Sequence, residues 1–158
     1  MLTADDFKLG MRKLALPVAV ISVESDEQRN GLTASSFCSV SVDPPRFLIC
    51  VGKTASAHPQ ISIGEGIAVN VLSETQHEQA MQFASKTHKG EQRFSLGEWN
   101  TLHTGAPILD DTTISFDCIV DNIIDDVTHS IITATVVAQK HTDNMCLLYR
   151  DGKPMLSL

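Results

Sequence analysis

The stretch Asn30–Pro45 decides the fold and reads N-G-L-T-A-S-S-F-C-S-V-S-V-D-P-P. Asn-Gly is the pair most typical of a tight hairpin turn, so Asn30-Gly31 predicts a turn between two antiparallel strands. The first of these strands is the β-branched segment 16–24, and the second is the segment 32–42. The Asp43-Pro44-Pro45 sequence ends the second strand, because these residues favour a turn.

Further strands are predicted on the C-terminal side of this hairpin. The predicted strands cover 46–51, 66–72, 112–124, 130–140 and 146–150. Helices are predicted after the N-cap residue Thr3 and from Ser73 to about Ser85. The segment 86–111 has no clear period and is expected to be a long loop. Because the strands group as hairpins and do not alternate with helices, the pattern predicts a mainly β, predominantly antiparallel barrel with helical additions.

Length and composition favour one globular domain spanning 1–158. The chain has 12 Lys and Arg against 19 Asp and Glu, a net charge of −7, which disfavours nucleic-acid binding. The sequence shows neither a signal peptide nor an apolar run long enough to span a membrane, so we expect a cytoplasmic protein. The widely spaced cysteines are expected to be reduced, buried thiols: Cys38, Cys50, Cys118 and Cys146.

Four small or hydroxyl-bearing residues follow one another at Thr33, Ala34, Ser35 and Ser36. Small side chains let a flat polar heterocycle approach the backbone, and hydroxyl and N–H groups can bond its edge. The alternative is a strand edge or bulge whose hydroxyl groups face water. The residue types alone leave both interpretations open.

The common motifs of other enzyme classes are absent from the sequence. The six histidines form neither H-x-x-x-H nor H-E-x-x-H, so no metal site is predicted. G-x-S-x-G and the phosphate-binding glycine motifs are also missing, which excludes a Rossmann domain as the nucleotide-binding unit. His129 opens a predicted strand after an acidic stretch. It is either a functional residue or an exposed histidine whose charge is balanced by nearby acidic residues.

The chain resembles the flavin reductase-like family, the FMN-binding split barrels of two-component flavin monooxygenases. The matching blocks are G-L-T-A-S-S-F-C-S-V-S-V-D-P-P (31–45), A-V-N-V-L-S-E-T-Q (68–76), Q-R-F (92–94) and His129 at the start of a late strand. The resemblance implies a homodimer of six-stranded antiparallel split barrels with Greek-key connections. It also implies FMN or FAD as the flavin, bound near the subunit interface.

The resemblance further implies which residues bind the flavin. Thr33, Ala34, Ser35 and Ser36 would line the ring and the ribityl chain. Residues near the ring edge or the phosphate would be Val51, Gly52, Lys53 and Ser56. Phosphate partners are expected among Lys53, Ser56, Lys86, Lys89 and Arg93, although a solvated surface charge is the alternative for each lysine. Phe94 belongs to the same block as Arg93, and Asn70 either braces the pocket or touches the flavin.

By the same resemblance, the activity is that of an NAD(P)H:flavin oxidoreductase that supplies reduced flavin to a partner monooxygenase. His129 would orient the nicotinamide of NADH or NADPH or assist hydride donation. The family has Gly-Asp before this histidine, whereas this chain has Val127-Thr128. Two alternatives therefore remain: a non-catalytic FMN-binding or electron-carrier protein, and a dimeric interaction protein that has lost its flavin.

Overall fold

The computed structural model describes residues 1–155, so residues 156–158 of the predicted domain lie outside the described part. The helices are α1 (Ala4–Met11) and α2 (His77–Ala84), with 3-10 turns at His58–Gln60 and Gly90–Phe94. The strands are β1 (Leu16–Pro17), β2 (Ala19–Ser25), β3 (Gln28–Ala34), β4 (Phe37–Val42), β5 (Pro45–Gly52), β6 (Gly66–Val71), β7 (Trp99–Asn100), β8 (Ile108–Leu109), β9 (Ile114–Asp125), β10 (His129–His141), β11 (Leu148–Arg150) and β12 (Lys153–Pro154). Within residues 1–155, no helix has the length and hydropathy that crossing a membrane requires.

Seven antiparallel strands form the main sheet in the order β3-β2-β6-β9-β10-β5-β4. Its inner face surrounds one apolar core that includes Ile21, Ile49 and Ile132. Leu32 from β3 and Phe37 from β4 pack against this same core, although their strands lie at opposite ends of the sheet order. The sheet is therefore rolled around the core, which confirms the predicted mainly β, antiparallel barrel of the split-barrel class.

The main sheet has seven strands where six were expected, because the predicted single strand 32–42 is divided. β3 ends at Ala34 and β4 begins at Phe37, so Ser35 and Ser36 connect the two outermost strands. The Cys50 N–H donates a 2.8 Å hydrogen bond to the carbonyl oxygen of Ser36, which fixes this connection against β5. The division places the four small residues at a seam of the barrel.

The turn predicted at Asn30-Gly31 lies elsewhere. The β2–β3 hairpin turns at Asp26 and Glu27, whose φ angles are 52° and 61°. Asn30 and Gly31 are inside β3, where a Cβ on Gly31 would lie 2.6 Å from the Ile21 carbonyl oxygen and 2.8 Å from the Phe83 ring. The glycine is needed for this close approach and not for a turn, which is why the turn rule failed here.

The segment predicted as one long loop, 86–111, is more ordered than expected. It contains the Gly90–Phe94 turn and the β7–β8 pair, and Phe94 packs in a second core with Phe83. The buried Asp117 carboxylate accepts hydrogen bonds from the backbone N–H groups of His103 (2.6 Å) and Thr104 (2.8 Å). These contacts tie the segment to β9.

All four cysteines are free, as expected, but they are not all buried. Cys118 is buried, and burial raises the pKa of its thiol to about 12. Cys38 is exposed, because it lies on the edge strand β4 and faces away from the core. Cys50 and Cys146 are only partly buried, so the expectation of a buried thiol is confirmed for Cys118 alone and is wrong for Cys38.

Candidate functional site

A cavity of about 820 Å³ lies where β3 and β5 meet the C-terminal end of α2 and the start of β10. Most of the residues singled out from the sequence line it. These residues are Thr33, Ala34, Ser35, Ser36, Gly52, Ser56, Lys86, Lys89, Arg93 and His129. The fold thus brings together residues that are nearly one hundred positions apart in sequence.

The T-A-S-S run forms one wall of the cavity, at the seam between β3 and β4. The Thr33 hydroxyl donates to the carbonyl oxygen of Ala80 (2.5 Å) and so holds α2 against β3. Within residues 1–155 the hydroxyl groups of Ser35 and Ser36 form no hydrogen bond with the protein. They are consequently available to a ligand, whereas the Thr33 hydroxyl is engaged.

His129 is the first residue of β10 and lies opposite Gly52 of β5. Its Nδ1 is 2.8 Å from the Thr128 hydroxyl oxygen. The imidazole passes beside Gly52, since a Cβ added there would be 3.6 Å from Nε2. The structure confirms that His129 opens the strand and places its ring at the cavity with Nδ1 already hydrogen-bonded.

The hairpin that carries His129 is held by a chain of polar contacts. The Ser130 hydroxyl donates to Asp125 Oδ1 (2.7 Å), and His58 Nε2 is 2.8 Å from the Ser130 oxygen. The Lys53 ammonium is 3.7 Å from Asp125 Oδ1, and the Lys53 N–H donates to the Thr128 carbonyl oxygen. The Ser130 hydrogen bond, followed by the charge of Lys53, lowers the pKa of the Asp125 carboxyl. These contacts connect β5, β9 and β10 beside the cavity.

Lys53, which was singled out as a phosphate partner, does not line the cavity. Its ammonium group pairs with Asp125, a residue more than seventy positions away in sequence. The sequence offers no local sign of this pairing.

Arg93 lines the cavity, but its guanidinium is hydrogen-bonded to the backbone. It donates to the carbonyl oxygens of Gly31 (2.8 Å), Phe83, Ser85 (3.1 Å) and His88 (3.0 Å). Burial lowers the pKa of this guanidinium. Arg93 therefore joins β3 to the segment that follows α2.

Lys86 and Lys89 differ from Lys53 and Arg93, whose charged groups have partners within the protein. Both line the cavity and are exposed. No carboxylate of residues 1–155 lies within 4 Å of either ammonium group. In the described part of the chain they are the cavity cations whose charged group has neither an ion-pair partner nor a hydrogen-bond partner, whereas the Arg93 guanidinium is occupied by backbone carbonyl oxygens.

Three more of the predicted residues lie outside the cavity lining. Val51 points into the core, because side chains alternate along a strand and its neighbours Cys50 and Gly52 face the cavity on the opposite side. The Asn70 side chain is buried; its Nδ2 donates to Ser22 Oγ (2.9 Å) and its Oδ1 accepts from the Leu109 N–H (3.0 Å). Phe94 packs edge-on against Phe83, with 5.0 Å between ring centroids.

The sequence interpretation also missed part of the lining. The additional residues are Leu32, Cys50, Thr54, Ala55, Phe83, Ala84 and Ser85. Cys50 was predictable, since strand alternation puts it on the same face as Gly52. Burial raises the pKa of the Cys50 thiol, which keeps it neutral in the cavity wall. The F-A-S sequence of Phe83 to Ser85 matches the family at the end of the predicted helix, but no site role was assigned to it; these residues reach the cavity through the packing of α2.

Metal-binding groups are not clustered in the described part of the chain. In residues 1–155, no three side chains of His, Cys, Asp or Glu come together in a way that would hold a metal ion. The chemistry available at the cavity consists of hydroxyl and backbone donors, two lysine ammonium groups and one imidazole.

Comparison with known proteins gives one consistent result. The model of the flavin reductase-like domain matches residues 11–155. The FMN reductase (NADH) RutF of Stutzerimonas stutzeri is 35% identical over 149 residues, which cover 94% of this chain and 85% of that protein. The Streptomyces globisporus NADH:FAD oxidoreductase SgcE6, solved with NAD and FAD fragments, has a TM-score of 0.89 and 26% identity, covering 98% of this chain and 92% of its own. BorF, the flavin reductase component of a bacterial two-component tryptophan halogenase, has a TM-score of 0.88 and 27% identity over 97% of both chains.

Proposed function

Because the chain belongs to the flavin reductase-like family, we propose that it is an NAD(P)H-dependent flavin reductase that transfers a hydride from a nicotinamide nucleotide to FMN or FAD. The observation that carries this proposal is the cavity that joins the T-A-S-S wall, the unpaired Lys86 and Lys89, and the His129 imidazole. The relative RutF is an NADH-dependent FMN reductase, and SgcE6 uses NADH and FAD.

The cavity fits a flavin in size and in chemistry. Its volume of about 820 Å³ is in the range of ordinary cofactor sites. The free hydroxyl groups of Ser35 and Ser36 suit the polar edge of a flat ring, and Lys86 and Lys89 suit a phosphate group. When bound, the flavin supplies the hydride-accepting chemistry, and the protein supplies binding and orientation.

His129 is proposed as the residue that positions the nicotinamide at the cavity. Its Nδ1 is hydrogen-bonded to Thr128, which restrains rotation of the ring. The contacts of Lys53, Asp125, Ser130 and His58 hold the hairpin that carries it. An orienting residue needs this rigidity, because hydride transfer depends on close and well-aligned reactants.

We also propose that the working unit is a homodimer. No residue of α1 is buried, and its Phe7 side chain is 59% exposed. The edge strand β4 exposes Val40 and Val42, at 52% and 90%. Apolar surface and an open strand edge of this kind are typical of interfaces.

We further propose that residues 1–158 belong to a single domain and that the protein is cytoplasmic.

The reduced flavin is proposed to pass to a separate oxygenase by diffusion. BorF is the flavin reductase component of a bacterial two-component tryptophan halogenase, which supports a separate partner enzyme here. The T-A-S-S wall and the exposed lysines leave the cavity accessible to solvent, which suits a flavin that must leave after reduction.

The decisive experiment follows NADH and NADPH oxidation by absorbance, with and without added FMN or FAD. A rate that requires both protein and flavin is expected, and reactions without protein control for direct oxidation. No flavin-dependent rate with either nucleotide would contradict the reductase proposal. A protein that stays yellow on purification but shows no such rate would instead be a flavin-binding electron carrier.

A further inference from the structure

A second recess of about 460 Å³ adjoins the main cavity at the C-terminal end of α2. It is lined by Met81, Gln82, Ala84, Ser85 and His88. Ala84 and Ser85 also line the main cavity, so the two spaces share a boundary. We call the second space the α2 recess.

The α2 recess presents a surface suited to an aromatic ring. The Met81 side chain is 55% exposed, and a thioether makes favourable contacts with aromatic rings. The His88 imidazole is held in place, since its Nδ1 is 3.1 Å from the Ser85 hydroxyl oxygen. A fixed imidazole beside an exposed thioether can contact a flat heterocycle on its face.

The two unpaired lysines lie in sequence beside the residues that join the two spaces. Lys86 directly follows Ser85, and Lys89 directly follows His88. Both line the main cavity, and no carboxylate of residues 1–155 is within 4 Å of them. Positive charge therefore lies beside the boundary between the main cavity and the α2 recess. A dinucleotide has the same order, because its phosphates lie between two ring systems.

Building on the proposed reductase function, we propose that the α2 recess binds the adenine ring of FAD. The isoalloxazine ring would occupy the main cavity, and Lys86 and Lys89 would bind the pyrophosphate. The chain would then accept FAD as well as FMN, and the recess would favour FAD through adenine contacts that FMN cannot make. The adenine of NADH and an apolar partner protein are the competing occupants.

The test compares FMN and FAD affinity, measured by quenching of flavin fluorescence, in wild type and Met81→Glu. The matched control is Met145→Glu, because Met145 is 63% exposed and lines neither space. Met81→Glu is expected to weaken FAD binding about tenfold, the effect typical of losing a base-stacking contact. FMN affinity is expected to stay unchanged in both variants.

His88→Ala provides a second variant that introduces no charge, with the exposed His103→Ala as its control. It too should weaken FAD binding and leave FMN binding unchanged. Equal weakening of FMN and FAD, or no change in either, would overturn the adenine assignment. The assignment would also be overturned if the variants raised the KM for NADH, left the KM for reduced nicotinamide mononucleotide unchanged and left FAD affinity unaltered. That result would place the adenine of NADH in the recess. Failure of the wild type to bind either flavin would overturn the proposed function itself, and is thus a distinct result.

Discussion

The Arg93 guanidinium donates a 2.8 Å hydrogen bond from Nη1 to the carbonyl oxygen of Gly31. The same guanidinium reaches the carbonyl oxygens of Phe83, Ser85 and His88. Arg93 thus joins the strand that begins the T-A-S-S wall to the segment that carries Lys86 and Lys89. An arginine that resembles a phosphate ligand in the sequence holds together the two sides of the cavity.

Arg93→Lys is expected to destabilise the protein by about 2 kcal/mol. Lysine keeps the charge but lacks the planar set of donors, so buried carbonyl oxygens lose their partners. The free energy of unfolding, measured by urea titration, tests this prediction. The exposed Arg150→Lys is the control and should change little. Equal stability of the two variants would show that the backbone contacts contribute nothing.

Gly31→Ala is expected to destabilise the fold by about 1–3 kcal/mol, the usual cost of overpacking a core. The added Cβ would lie 2.6 Å from the Ile21 carbonyl oxygen, which is backbone and cannot move away easily. Gly52→Ala is the matched control, because its Cβ would meet nothing closer than 3.6 Å. Thermal unfolding of both variants checks the prediction, which fails if Gly31→Ala melts at the wild-type temperature.

Replacing both Lys86 and Lys89 with glutamine is expected to weaken FMN binding by about tenfold or more. Charge-assisted hydrogen bonds to phosphate are stronger than neutral ones, and these two cations have no carboxylate within 4 Å in the described chain. Fluorescence titration at two salt concentrations should also show a smaller salt dependence than in wild type. Lys13→Gln, an exposed change outside the cavity, should bind FMN normally. Normal binding by the double variant would remove these lysines from the proposed phosphate site.

His129→Ala is expected to lower kcat by about 10- to 100-fold, since small errors in reactant alignment have effects of this size. FMN affinity should remain nearly unchanged, because the residue is proposed to contact the nicotinamide. Steady-state rates and flavin titration together separate the two effects. His141→Ala, at the other end of β10, serves as control. A large loss of flavin binding in His129→Ala would refute the assigned role.

The Asp125 carboxyl is expected to titrate below the ordinary aspartate pKa of about 3.9. The Ser130 hydroxyl is the main cause of this lowered pKa, and Lys53 adds to it. A lowered pKa means that the contribution to stability is present above about pH 3.9 and is lost as the pH falls through the folded-state pKa. Ser130→Ala should raise the pKa of Asp125, measured by NMR of its carboxyl carbon. Ser39→Ala, which makes no contact with Asp125, should not. An unchanged pKa in Ser130→Ala would contradict the assigned cause.

Much of the fold was predictable because its signals are local. The β-branched, strand-like runs predicted β9 and β10 almost to their ends, and the N-cap residue Thr3 predicted the start of α1. The turn rule failed at Asn30-Gly31. The glycine is needed there because the Phe83 ring, which is far away in sequence, lies too close to leave room for a Cβ. Local rules cannot include such a contact.

By itself the sequence determined the barrel class, the run of four small residues and the histidine that opens β10, because each depends on neighbouring residues or on a contiguous motif. Only the tertiary structure decided which cations have charge available to a ligand. Lys53 and Arg93 have the same local character as Lys86 and Lys89, yet Lys53 meets Asp125 and Arg93 meets Gly31 across the fold. The charge of a side chain is set by its residue type, whereas its partner is set by long-range packing.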